Sequence, residues 1–274
     1  MTLPESLQSS PWRRRIEVAL EALRGAASAL LAVRGTGTRG TETGDQLKTS
    51  VDRAAEGWVL GFLETEFPND PILAEERFSL EGKPWSPRAA YWTVDALDGT
   101  RSFVEGFPGF CVQVAWVEEG TPRVGVIAEP VTGAIYVAAH GAGAFRMHTN
   151  GIALVRAATA IPTRPRFVDS TPPSGAVGRW MQETSGALVE CGSIGLKVAR
   201  VAEGAADVYA KDFRFRLWDV APGRVIAEEA GARVGLWDGS AVPFDGSQVE
   251  WRRILCVPAA SYDDAVRALA RYGG

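Results

Sequence analysis

Between residues 92 and 140 four β-like runs follow one another closely: "WTVDALDGT", "FCVQVAWV", "RVGVIAE" and "AIYVAAH", the last three joined by "EEGTP" and "PVTG". Runs of branched and aromatic residues punctuated by glycine, proline and threonine read as strands connected by hairpins. The middle third of the chain is therefore expected to be an antiparallel sheet. Ahead of it, Ile16, Leu20, Leu23, Ala27, Leu30 and Leu31 recur at helical spacing, and "RGTGTRGTETGDQ" ends that helix in a connector. A second helix, capped by Ser50 and with Asp52 in its first turn, presents Ala55, Val59, Phe62 and Leu63; "FPNDP" stops it, and "ILAEE" follows as a short strand. From "RPRFVDS" onward helices and strands alternate, which predicts a smaller layered α/β unit, with "TPPSGAVG" as a turn near the junction. The division expected is a first α+β subdomain over 1–155 and a second, α/β subdomain over 156–274.

With 274 residues, 46% of them hydrophobic, the chain can bury a large core in one domain or two intimate subdomains. A formal charge of -4, from 29 basic and 33 acidic residues, leaves no footprint for a nucleic acid polymer. Cys111, Cys191 and Cys256 are isolated and lack CxxC spacing, so they read as reduced core residues of a cytoplasmic protein. Arg13-Arg14-Arg15 ahead of an apolar stretch imitates a signal peptide, but Glu17, Glu21 and Arg24 interrupt it. No run approaches the roughly 18 apolar residues of a membrane span.

Acidic residues stand at the ends of regular elements in four places: Asp52, Glu75-Glu76, Asp95 with Asp98, and Asp219 in "LWDVAPG". Element ends are where loops converge, so these residues could share a site. Clustered carboxylates repel unless a cation neutralises them, and hard oxygen donors suit Mg²⁺. Taken singly, Glu75-Glu76 reads as a solvated loop pair and Asp98-Gly99 as a turn. Thr100 adds to the second of these: carboxylate, glycine and hydroxyl in succession offer a metal ligand, a backbone able to approach phosphate, and a group to hold water. Of the two "WD" pairs, Asp238-Gly239 is the turn, whereas Asp219 opens a helix and can face a site at its N-terminus.

"WTVDALDGTRSF", "ILAEE" and "LWDVAPG", in this order, resemble the signatures of the inositol monophosphatase superfamily of Mg²⁺-dependent, lithium-sensitive phosphatases. The resemblance extends from "TSVD" through "GSIGLKVARVAEGAADVYA" to "EEAGARVGLWDG" and implies a layered αβαβα sandwich. It implies that Glu75, Asp95 and the Leu97 carbonyl hold one metal ion, that Asp95, Asp98 and Asp219 hold a second, and that two or three ions bind in all. Asp52 and Thr100 match the pair that orients the attacking water, with Glu75 counted among the catalytic groups, while the Gly99 and Thr100 amides contact the phosphate. Neither His140 nor His148 is then needed as a catalyst.

The substrate implied is a small phosphorylated metabolite, and the partner a second copy in a homodimer. Ser193 and Lys197 in "GSIGLK" resemble the 3'(2'),5'-bisphosphate nucleotidases, where a lysine in this helix is usual. Asp212 stands where the inositol phosphatases carry an acidic residue that contacts a substrate hydroxyl, while Lys211, Arg214 and Arg216 would suit an extra anionic group. A bisphosphate nucleotide such as 3'-phosphoadenosine 5'-phosphate, an inositol monophosphate and a specialised sugar phosphate are all open, as is a binding protein without turnover. Lys48 before Thr49, and Arg101-Ser102 before Phe103, depart from the family pattern around the mobile loop.

Overall fold

A computed structural model describes residues 2–35, 44–82, 85–86 and 88–273. The chain begins with a short helix α1 (Glu5–Gln8) and two long ones, α2 (Arg13–Gly35) and α3 (Gly44–Glu66). The connector expected between the long helices, residues 36–43, and the side chains of Lys48 and Thr49 lie outside the described residues. Helix α3 corrects one expectation: it starts six residues before Ser50, so Ser50 is an internal residue and Asp52 lies in the third turn. The stretch ahead of Ser50 contains no proline to stop a helix, and Gln46, Leu47 and Lys48 are good helix formers.

Strand β1 (Ile72–Ala74) runs directly into helix α4 (Glu75–Glu81), so Glu75 and Glu76 are its first turn and not a loop pair. Strand β2 (Ala90–Asp98) is followed by Gly99 and helix α5 (Thr100–Glu105), then by β3 (Cys111–Glu118), β4 (Thr121–Glu129), β5 (Ala134–Ala139), β6 (Gly143–His148) and β7 (Gly151–Leu154). Strands β6 and β7 were not expected, because the glycines around them read as a strand exit. The second half supplies β8 (Arg166–Asp169), α6 (Gly175–Glu183), β9 (Ala187–Glu190), α7 (Ile194–Ala202), β10 (Tyr209–Arg216), α8 (Leu217–Glu229), β11 (Ala232–Leu236), β12 (Glu250–Pro258) and α9 (Tyr262–Arg271). Helix α6 begins inside the segment expected to be a turn, and the charged "KDFRFR" is strand, bulged between Lys211 and Arg214 where it pairs with β12.

Among the described residues, β1 to β7 form one sheet in sequence order, with β1 parallel to β2 and every later pair antiparallel. Period-two alternation divides its side chains between two buried faces. Trp92, Val94, Val114, Trp116, Val126 and Val137 pack against α2 and α3, and Tyr91, Cys111, Ala115, Ile127 and Tyr136 pack against α7 and α8. Helices α7 and α8 in turn cover the second sheet, ordered β10-β12-β11, whose far side meets α6 and α9. The result is a five-layer αβαβα sandwich, an α+β architecture. On α7, Leu196, Val198 and Val201 are fully buried, and burial of such side chains contributes about 1.5–3 kcal/mol each. Helix α8 comes so close to β4 that a side chain on Gly125 would lie 2.3 Å from the Pro222 carbonyl oxygen.

Cys111, Cys191 and Cys256 are free thiols in the core, and Trp85 packs on Tyr91 with ring centroids 5.4 Å apart. Among the described residues no helix is long and apolar enough to cross a membrane.

Candidate metal centre and active site

A break in the strand pattern makes the site. Along β2, alternation turns Tyr91, Thr93 and Asp95 toward α8, and strict alternation would send Asp98 to the opposite face. The register against β3 slips instead: Asp95 stands opposite Gln113 and Asp98 opposite Cys111, so three steps on one strand match two on the other. This bulge returns Asp98 to the same face as Asp95. Gly99 then adopts φ +89°, and a Cβ there would lie 2.6 Å from the Gly109 carbonyl oxygen, so the bend requires glycine on both counts.

Glu75 is the first residue of α4 and Asp219 the third of α8. Carboxylate oxygens of Glu75, Asp95 and Asp219 all lie within 4.8 Å of one another. Asp95 Oδ1 accepts the Leu97 amide at 3.0 Å, Thr100 Oγ1 donates to the Leu97 carbonyl at 3.1 Å, and Asp219 Oδ2 accepts the Arg216 amide at 2.6 Å. Asp98 is placed differently. Its Oδ2 accepts from Ser193 Oγ at 2.6 Å, the Gly195 amide at 2.9 Å and Gln113 Nε2 at 3.1 Å. A cavity of about 60 Å³ is lined by Asp52, Glu75, Asp95, Leu97 and Thr100, together with Glu56. It has room for ions and waters but not for an organic ligand.

Burial raises Asp95 well above the ordinary carboxylate range, and Glu75, Asp98 and Asp219 raise it further. Asp219 rises the same way, through burial and then Asp98 and Glu75. Glu75 is pushed up to about 7 by burial and then by Asp98, with Arg216 opposing. In Asp98 burial again dominates, but the hydrogen bonds from Ser193 and Gly195 offset part of it. A buried, mutually repelling group of oxygen donors with no nitrogen or sulfur among them fits Mg²⁺.

The residues expected to bind substrate are dispersed. Ser193 caps α7, accepting the Leu196 amide at 3.0 Å while its hydroxyl donates to Asp98; with Gly99 it lines a cavity of about 560 Å³. Lys197 is not on a solvated helix face: it is buried, with Nζ 3.1 Å from Asp169 Oδ1. Lys211 holds the same oxygen at 2.7 Å. Asp212 is bound by Arg252 at 2.6 Å and Arg253 at 3.3 Å and borders a different cavity, shared with Asp169 and Lys211. Arg216 lies at the edge of the cluster, 3.6 Å from Glu75 and 3.8 Å from Glu250. Asp238 forms the expected turn, accepting Ser240 N at 2.9 Å.

Two residues that touch the cluster were not anticipated. Gln113 donates to Asp98 and, at 3.4 Å, to the Asp219 carbonyl. Glu56, one helical turn after Asp52 and so on the same face of α3, accepts two amides of α4. That i,i+4 spacing was the available signal for Glu56; for Gln113 the sequence holds none.

A profile of the Inositol monophosphatase family matches residues 12–272. Inositol monophosphatase 3 of Solanum lycopersicum is 31% identical over 232 residues, covering 81% of this chain and 84% of that protein. The 3'(2'),5'-bisphosphate nucleotidase CysQ of Shigella flexneri is 32% identical over 200 residues, covering 72% and 78%. The solved structure of an inositol monophosphatase from Anabaena superposes with a TM-score of 0.75 at 26% identity, covering 95% of this chain and 96% of that one.

Proposed function

Given that the chain belongs to the inositol monophosphatase family and is a Mg²⁺-dependent phosphoric monoester hydrolase acting on small phosphorylated substrates, we propose that it dephosphorylates a hydroxyl-rich monophosphate, an inositol phosphate or a sugar phosphate. The observation that carries this reading is the lining of the 560 Å³ cavity beside Gly99. Ser102, Ser170 and Thr171 offer hydroxyls there, Glu190 is acidic, and Arg101 is paired with Glu105 at 2.7 Å. Such a wall suits a neutral polyol and disfavours a second phosphate.

Glu75, Asp95 and the Leu97 carbonyl would hold one ion, and Asp95, Asp98 and Asp219 a second. Bound Mg²⁺ supplies Lewis-acid stabilisation of phosphoryl charge and makes water more acidic. The chain's own groups do the positioning. Asp52, buried beside the cavity, and Thr100 would orient the attacking water, Asp52 as the proton acceptor. The first amides of α5, which have no acceptor within the helix, would receive phosphate oxygens where Gly99 permits close approach. Ser193 and the Gly195 amide hold Asp98 in its orientation. We also infer a homodimer, for which Trp58, Leu80 and Val104 are exposed apolar side chains; light scattering reads its mass.

A bisphosphate nucleotide is the second reading. It is favoured by the similarity to the nucleotidase and by Arg216, whose ion pairs at 3.6 and 3.8 Å are loose enough to yield to a substrate anion. Specificity constants for inositol 1-phosphate, hexose phosphates and 3'-phosphoadenosine 5'-phosphate, measured with Mg²⁺, separate the two. A higher kcat/KM for the bisphosphate would overturn the polyol reading.

A further inference from the structure

Helix α4 delivers Glu75, yet its own N-terminus has no local cap: the N-cap residue is Ala74, whose side chain cannot accept a hydrogen bond. The amides of Glu76 and Arg77 would be orphaned in a partly buried site. Both are met from α3. Glu56 Oε2 accepts the Glu76 amide at 2.8 Å and Oε1 the Arg77 amide at 2.8 Å, so each oxygen takes one donor and Glu56 grips the first turn like a fork. Such charge-assisted bonds are about twice as strong as neutral ones. Glu56 is only 4% exposed and borders the same cavity as Glu75.

This placement is costly on electrostatic grounds alone. Glu56 adds a further buried carboxylate beside a group that already repels itself, and its charge helps to raise Glu75. A neutral side chain would relieve that repulsion, but none of similar size offers two equivalent acceptors to two parallel amides. A second tie between the helices is of another kind: Arg77 pairs with Glu64 at 2.7 Å, with Glu64 half exposed. Arg53 and Glu76 make a looser pair at 3.9 Å, and Phe78 of α4 packs on Trp218 farther along the helix. Exposed pairs of this type contribute little, so among the described polar ties between α3 and α4 the buried hold on the first turn is that of Glu56.

We propose that Glu56 is a positioning residue for the metal centre: without coordinating Mg²⁺ itself, it sets the centre's affinity by fixing the turn that carries Glu75. The proposal rests on the reading that the Glu75, Asp95 and Asp219 cluster binds Mg²⁺. Titration calorimetry of Mg²⁺ into wild type, Glu56→Gln, Glu56→Ala and the control Glu64→Ala tests it without any substrate, and hydrogen exchange over residues 72–81 reports the cap. Loss of a group that orients a metal ligand typically weakens affinity about 10–100-fold. Glu56→Ala should show that loss and Glu56→Gln, which keeps one acceptor, a smaller one; Glu64→Ala should match wild type. Exchange at the Glu76 and Arg77 amides should accelerate in the Glu56 variants only. At saturating Mg²⁺, kcat should return to within a few-fold of wild type with substrate KM unchanged, a rescue that a general folding defect would not give.

Wild-type affinity in both Glu56 variants overturns the proposal. So does activity that no Mg²⁺ concentration restores in the near-isosteric Glu56→Gln, since Glu56 would then be a ligand or a catalytic group. Absence of Mg²⁺ binding to wild type would instead defeat the reading of the cluster, and the proposal with it.

Discussion

Asp95 and Asp169 are both buried carboxylates, and their fates are opposite. Asp95, with Glu75 and Asp219 around it, is surrounded by its own kind and held far above the ordinary carboxylate range. Burial pushes Asp169 up as well, yet Lys197 and Lys211, which share its Oδ1, outweigh that and bring it below the ordinary range. The difference is the presence of a resident counter-charge. Where the protein supplies buried cations, the carboxylate is structural; where it supplies only Arg216 at the edge of the cluster, the group can accept one from solution.

The largest effect should come from removing an uncompensated charge. Asp95→Asn is expected to lower Mg²⁺-dependent phosphate release about 10³-fold or more. In EDTA the same variant should resist denaturant better than wild type, because a neutral amide replaces a carboxyl group whose charged form burial and its neighbours disfavour. Retained activity would end the assignment of Asp95 as a ligand.

Asp169→Asn should do the reverse. It leaves two lysines without their partner, one of them buried, and a broken buried pair costs about 3–5 kcal/mol. Urea unfolding measures this loss, and an unaltered midpoint would mean that the lysines find other acceptors.

The two groups should also respond oppositely to pH. Glu75 rises from 4.5 to about 7 on folding, so the folded state binds the proton more tightly than the unfolded chain. Stability in EDTA should therefore decline as pH rises through that window, and saturating Mg²⁺ should flatten the decline. Asp169 is lowered from 3.8, so its contribution is present above that value and is lost as pH falls below it. Thermal melts from pH 3 to 8, with and without Mg²⁺, test both signs.

Smaller still is Ser193→Ala, which removes a hydrogen bond to a charged group, worth about 1.5–3 kcal/mol, and should weaken Mg²⁺ binding through Asp98. Asp212→Asn should be smallest. The residue is partly exposed and paired with Arg252 and Arg253, so its stability effect should stay under about 1 kcal/mol. A large rise in KM for a polyol phosphate would show that Asp212 leaves those arginines to meet substrate.

Much of the architecture could be read from local pattern. The strands over 92–140 follow from their branched and aromatic runs, and Asp219 was distinguished from Asp238 by the helix that follows one and the turn that contains the other. The start of α3 was placed too late, because Ser50 resembles a cap and nothing local marks it as internal. Taken singly, Glu75-Glu76 reads as a solvated pair, because such a pair ordinarily is; only the family resemblance points to Glu75 as a ligand, since its surroundings come from β2 and α8.

What the sequence by itself determined is the chemistry available at each position: hard oxygen donors at 75, 95, 98 and 219, glycine where the chain must bend at 99, a hydroxyl at 100. Only the tertiary structure decided which of these charges have partners. The bulge that places Asp98 beside Asp95 arises from pairing with β3, and Asp98 is held by Ser193, 95 residues away. Lys197, which resembles a substrate contact in the sequence, is drawn to Asp169 by packing of α7 on β8. Coulomb and desolvation energies depend on distances through space, and those distances are set by contacts between segments that local sequence does not relate.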